Sequence, residues 1–204
     1  MKRTIYLNQI EEYIKRSPRG TVFVTSDFSD IASSDSANKA LLRLEASGLI
    51  RRILFGVYEY PEFNDFLNEY VEAAPDKVAN ALARKFGWTI VPCGDTALNM
   101  LGLSTQVPAV WHYVSDGPYK EYSYGKVTIK FKRTTNKEIS KISYSTALVI
   151  QAIKALGKER VTKEIINKIK TVTSEDEKAK MFKEAKYATA WIYDIIKEIC
   201  GGIQ

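Results

Sequence analysis

Apolar residues recur along the first sixty positions with a spacing that changes from helical to alternating. Ile5, Leu7, Ile10, Tyr13 and Ile14 fall at helical intervals, and the run ends in the turn chemistry of Ser17-Pro18-Arg19-Gly20. Val22, Phe23 and Val24 form a short apolar stretch, after which Thr25 or Ser26 can cap a second short helix beginning at Asp27-Phe28. Ser33 or Ser34 can cap a third helix that runs to Ser47 and stops at Gly48. In that helix Ala37, Ala40, Leu41 and Leu44 share one stripe. Asp35, Lys39, Leu42 and Ala46 lie opposite, with Asn38 and Arg43 on the flanks. The segment LIRRILFGVYEYP then reads as two strands around a turn near Phe55-Gly56.

Pro61 to Asp65 reads as a boundary, so the chain divides into residues 1–61 and 62–204. Beyond it the sequence is acidic up to Ala74. Pro75 then opens a helix with Val78, Ala79, Leu82, Ala83 and Phe86 on one face, closed by Gly87. WTIVP (88–92) and VWHYVS (110–115) read as strands, and Thr96 to Leu101 as a short helix ending at Gly102. KVTIKFKR (126–133) alternates most clearly, with Val127, Ile129 and Phe131 against Lys126, Thr128, Lys130 and Lys132. Helical patterns fill the remainder, over 145–156, 161–172 and 175–199. The fold class expected is α+β.

Composition narrows the chemistry. The chain has 204 residues, 45% hydrophobic and 26% charged, with 30 Lys+Arg against 24 Asp+Glu. That is an ordinary globular balance. No run nears the ~18 apolar residues of a membrane helix, and the charged start MKRTIYLNQIEEYIKR leaves no room for a secretory core, so a cytoplasmic address is expected. The two cysteines, Cys93 and Cys200, are no disulfide framework. His112 alone cannot supply a zinc site, and no nucleotide-loop, dinucleotide or nucleophile-elbow motif is present. Neither an enzyme, a metal nor a cofactor is expected.

Helix, short helix, helix and hairpin is the order of a winged helix-turn-helix, in which the third helix enters the major groove and the hairpin touches the backbone. Ser36, Asn38, Lys39 and Arg43 on the third helix, with Arg51 and Arg52 on the wing, are the candidate DNA contacts. The alternative is a winged-helix-shaped protein-binding module with solvated charges. Residues 1–60 carry nine Lys+Arg and seven Asp+Glu, whereas residues 121–204 carry seventeen and ten, so the basic excess sits late in the chain.

The order GxVFxxxDF over Gly20–Phe28, LxRLxxxGLIRR with GVYxxP over Leu41–Pro61, PDKVANALARKFGW, GDTALNMLGLSTQVP, YVSDGPYKEY and VTIKFKR resembles the AbiEi-type antitoxin family of abortive-infection, type IV toxin–antitoxin systems. The resemblance covers most of the first 135 residues. It implies an N-terminal winged helix-turn-helix that represses its own operon, and a mixed α/β antitoxin domain with a helical C-terminal tail. It also implies a nucleotidyltransferase-like toxin as functional partner, opposed with or without a direct complex.

A single winged helix makes few base contacts, so a monomer pairing on an inverted repeat of double-stranded DNA in its own promoter is expected, with no membrane partner. Lys126, Lys130, Lys132 and Arg133, widened by Lys137 and Lys141, form the candidate antitoxin surface. The alternative for these lysines is a solvated face that guards an edge strand. The alternative for the whole chain is a winged-helix regulator with a ligand-sensing or protein-binding rear domain.

Overall fold

The computed structural model describes residues 2–135 and 139–201, which form an α+β protein of two compact units, 1–88 and 89–204. In the first unit, α1 (Lys2–Arg16) leads to β1 (Thr21–Val24), a single 3-10 turn (Thr25–Phe28) and α2 (Ser34–Ala46). Strands β2 (Arg51–Leu54) and β3 (Val57–Tyr60) close a three-stranded antiparallel sheet of order β1-β3-β2.

The inward stripe of α2 is the one its spacing dictates. Ala37, Ala40, Leu41 and Leu44 are buried with Ile10 and Ile14 of α1, Phe23, Phe28 and Ile50. Phe23 and Phe28 lie 5.8 Å apart, and Tyr13 closes edge-on at 6.3 and 5.6 Å.

The first unit does not stop at residue 61. A small hairpin, β4 (Phe63–Asn64) and β5 (Glu69–Tyr70), follows, and then α3 (Pro75–Phe86), which opens on Pro75 and ends at Gly87 in the left-handed region. Three cations of α3 tie it to the sheet. Lys77 Nζ donates to the Gly20 carbonyl at 3.0 Å, and Arg84 reaches Asp27 at 2.8 Å and the Val22 carbonyl at 3.0 Å. Lys85 Nζ donates to the Phe55 carbonyl at the β2–β3 turn. The Pro61–Asp65 stretch is therefore a connection inside this unit, and the compact unit runs to Trp88.

In the second unit, β6 (Ile90–Pro92), β7 (Trp111–Ser115), β8 (Lys120–Tyr124) and β9 (Val127–Arg133) form a sheet of order β6-β7-β9-β8. Its β7–β9 pair is parallel and the other two pairs are antiparallel. Helix α4 (Asp95–Met100) and α5 (Tyr144–Leu156) pack over Val91 and Val114 on one face. Helices α6 (Lys163–Val172), α7 (Glu175–Glu184) and α8 (Ala190–Ile199) build a second core with α5 around Ile153, Ile169, Met181 and Ile196. The continuous helix expected over 175–199 is broken. A 3-10 turn (Ala185–Tyr187), extended Ala188 and the N-cap Thr189 separate α7 from α8. Strand β8 and the β4–β5 hairpin were not anticipated from the pattern.

One buried charge organises the first sheet. Glu59 is 1% exposed, in register with Arg51 across β3–β2, and Arg51 Nε donates to its carboxylate at 2.5 Å. The same guanidinium donates to the Val71 carbonyl, which joins the β4–β5 hairpin to the sheet. Burial pushes the Glu59 carboxyl above its ordinary 4.5, while Arg51 opposes the shift. A raised folded-state value stabilises fully below 4.5 and loses that contribution as pH rises through it. Replacing Arg51 with Ala leaves an unpaired carboxylate, so a loss of about 1–3 kcal/mol is expected at pH 7.5. The loss should be smaller at pH 5 than at pH 7.5, because the raised Glu59 carboxyl gains protons as the pH falls and loses the unpaired charge. Urea unfolding of R51A and wild type at both pH values checks this; an equal loss at both would refute it.

Candidate nucleic-acid interface

The residues that α2 cannot bury define its outward face. Asn38, Lys39, Leu42 and Arg43 are all exposed, and Ser36 is half-buried. Between this helix, the 3-10 turn and the β2–β3 turn lies a groove of about 670 Å³. Ser26, Ser29, Ser33, Ser34, Asn38, Arg52 and Lys85 are among its polar lining, and Leu42 and Phe55 among its apolar lining. Ser33 stands at the N-terminal end of the 13-residue α2, where unsatisfied backbone N–H groups favour an anion.

The six residues singled out from the sequence divide among three places. Asn38 and Arg52 line the groove. Ser36, Lys39 and Arg43 line a second, smaller concavity on the α1 side of the helix, with Tyr6, Leu7 and Ala40. Arg51 is turned into the sheet and spent on Glu59 and Val71. Arg52 is 36% exposed and bridges Glu45 at 3.1 Å, with its guanidinium also 3.4 Å from the Tyr58 hydroxyl. A half-exposed ion pair of that kind is weak, so a phosphate can replace Glu45 at little cost. Asn38 accepts a hydrogen bond from the Thr25 hydroxyl at 2.5 Å through Oδ1. An amide oxygen accepts two hydrogen bonds, so Asn38 can keep Thr25 and still make the paired donor–acceptor contact that reads an adenine.

Sequence reasoning missed the cation that α3 adds. Lys85 reaches the β2–β3 turn from a helix thirty residues downstream, holds the Phe55 carbonyl, and lies 5.1 Å from the Phe55 and Phe86 ring centres. Burial lowers its pKa. Gly56 has a φ of 68°, and a Cβ there would come within 3.1 Å of the Lys85 ammonium, so this turn suits glycine for both reasons. The turn is pinned, and the Phe55 side chain projects from it 84% exposed. Only tertiary packing brings Lys85 here, and no local signal in the sequence points to it.

In the second unit, β9 alternates as far as Lys132, with Ile129 and Phe131 buried and Lys132 exposed; Arg133, on the face opposite Lys132, is exposed as well. The basic face is not one open surface. Lys132 is in register with Val114, and Val114 with Val91, both packed beneath α4 and α5. Lys130 is only 29% exposed and is paired with Glu121 of β8 at 3.0 Å, a bond that raises its pKa. Lys126 precedes the strand, in the β8–β9 turn. Lys137 lies outside the described residues, and Lys141 is exposed. His112 lies in register with Lys130 and donates its backbone N–H to the buried Thr96 hydroxyl at 2.8 Å. Burial, then the charge of Lys132, lowers the His112 pKa, whereas burial raises that of the Cys93 thiol. The Cys93 shift runs opposite to that of an activated thiolate.

Among the described residues no helix is long and apolar enough to cross a membrane, and no group of three or more His, Cys, Asp or Glu could hold a metal ion. No curated protein matches the chain. A family model described as a family of unknown function (DUF6088) matches residues 9–181, a span that takes in nearly all of the first unit and most of the second. The chain belongs to this family, DUF6088.

Proposed function

We propose that the first unit is a winged helix-turn-helix that binds double-stranded DNA, with α2 as the recognition helix and the β2–β3 turn as the wing. The observation that carries this reading is the exposed Asn38–Arg43 face of α2 beside a pinned β2–β3 turn, joined by the serine-lined groove. The element order α1, β1, 3-10 turn, α2, β2, β3 and the sheet order β1-β3-β2 support it, because that topology leaves one helix face and one hairpin tip on the same side. Lys39, Arg43 and Arg52 supply phosphate contacts, and Ser36 and Asn38 sit where a base edge or sugar is reached. Arg51 has no part in the contact, since its charge is committed to Glu59. Two copies then occupy an inverted repeat in the protein's own promoter.

The wider role we propose is that of an antitoxin that represses its own operon and opposes a nucleotidyltransferase-like toxin. It is supported by the resemblance of the sequence to AbiEi-type antitoxins, in TALNMLGLSTQVP and VTIKFKR above all. The antitoxin surface is assigned to Lys126, Lys132 and Arg133, with Lys130 behind its pair to Glu121. A cytoplasmic location follows from that role.

Two outcomes are expected. In gel-shift titrations across salt concentrations, K39A/R43A weakens binding to every duplex and flattens the log–log salt slope by about 1.8, and R52A flattens it by about 0.9. N38A instead costs about 1–3 kcal/mol of discrimination between operator and scrambled duplex. An unchanged slope in K39A/R43A contradicts the assignment. In co-expression with the adjacent toxin gene, K126E/K132E/R133E loses growth rescue while operator binding stays within about twofold of wild type, because the substituted residues lie outside the DNA-binding unit. Full rescue by that variant would remove the antitoxin surface from β9.

A further inference from the structure

The β2–β3 turn carries a chemistry that phosphate contact does not use. Leu54 pairs with Val57 across the hairpin, so Phe55 and Gly56 by themselves form the tip, and a register shift between Arg52 and Leu54 breaks the regular pairing just before it. Phe55 is 84% exposed there. An exposed ring alone says little, since single apolar residues are common on protein surfaces. What sets Phe55 apart is that it is held. Lys85 takes its carbonyl and stands over its ring at 5.1 Å. Gly56 leaves room for that ammonium, because a Cβ there would stand 3.1 Å from it. A side chain fixed before its partner arrives loses little freedom on binding, so the ring is preorganised for contact.

The charge around the tip selects the partner. Residues 46–58 include Arg51 and Arg52 and no Asp or Glu. Arg51 is turned inward to Glu59, whereas Arg52 and Lys85 line the groove between the turn and α2. Glu45 reaches Arg52 from α2 in a half-exposed pair that a phosphate displaces at little cost. An ammonium donates from more than one N–H, so Lys85 can keep the Phe55 carbonyl and still meet a phosphate. The groove of about 670 Å³ then gives the two elements different places on a duplex. With α2 in the major groove, the sugar–phosphate strand that bounds it runs along this groove, past the hydroxyls of Ser26 and Ser29. The turn, on the far side of that strand, lies at the adjoining minor groove.

We propose that the β2–β3 turn enters this minor groove, with Phe55 wedged against one base step that it partly unstacks, and with Lys85 on a phosphate beside it. The inference rests on the DNA-binding reading and adds the groove the wing enters and the kind of sequence it prefers. An apolar ring has no hydrogen-bond code to read. It senses how readily a step opens, so flexible TA or CA/TG steps are favoured beneath it. Because Lys85 comes from α3, the DNA-contacting surface extends beyond the hairpin.

The adenine analogue 2-aminopurine, whose fluorescence rises on unstacking, tests the wedge when placed in turn at each adenine of a duplex from the chain's own upstream region. On titration with the full chain, brightening is expected at one step per bound copy. F55A should abolish it and bind about tenfold more weakly. Its log–log salt slope should stay that of wild type, since no charge is lost, whereas K85M should flatten the slope by about 0.9. Circular dichroism spectra of both variants should match wild type. Wild-type binding without brightening at any position, or F55A that brightens and binds like wild type, overturns the inference. The DNA-binding reading survives either result if K39A/R43A still flattens the slope. F55A that keeps binding and brightening but loses growth rescue in co-expression assigns Phe55 to a protein partner and also overturns it. Absence of any wild-type binding to the duplex removes the DNA-binding reading, and the wedge with it.

Discussion

Burial of the Ala37, Ala40, Leu41 and Leu44 stripe against α1 constrains everything proposed for the first unit. A helix that turns those four positions inward has no choice about which side chains face out. Asn38 and Leu42 fall toward the groove, and Lys39 and Arg43 toward α1. The short side chains Ala37 and Ala40 let α2 lie close to its neighbours. Once α2 is seated, the β2–β3 turn is its neighbour across the groove, and Lys85 holds that turn from behind. Loss of packing under the stripe would therefore remove the surface along with the core.

Charge acts locally in this protein. Residues 1–88 carry twelve Lys+Arg and twelve Asp+Glu, a net of zero, whereas residues 89–204 carry eighteen and twelve. A neutral unit can still present a basic face, because its cations have different duties. Arg51 neutralises a buried carboxylate, while Lys77 and Arg84 staple α3 to backbone carbonyls and Asp27. Lys39, Arg43 and Arg52 stay at the surface, and the acidic residues concentrate in the 53–76 segment. Under the proposed DNA-binding reading, long-range attraction to nucleic acid is correspondingly modest, and close contacts at α2 supply most of the affinity.

The sequence made the local elements legible wherever burial repeats with a fixed period. The stripe of α2, the β2–β3 pair, the Pro75 and Gly87 ends of α3 and the alternation of β9 are all set by residues within one or two turns of each other. What escaped was long-range. Arg51 reads as a wing cation until its register with Glu59 is known, since both occupy ordinary strand positions. Lys85 belongs to a helix beyond an apparent boundary, and nothing local connects it to Phe55. The hairpin over 63–70 has two-residue strands, too short to alternate visibly. In the second unit the lysines of β9 alternate as expected, yet the face they occupy is partly roofed by α4 and α5, a fact only the sheet order reveals.

Amide chemical-shift mapping of the full chain during titration with duplex DNA from its own upstream region tests the central claim most directly, because it reports the contact surface residue by residue. The account predicts that the largest perturbations gather in α2 from Ser34 to Ala46 and in the turn around Phe55-Gly56, with Arg51 and the β4–β5 hairpin little changed. Perturbations centred on β8 and β9, or none on α2 at saturating DNA, would contradict it.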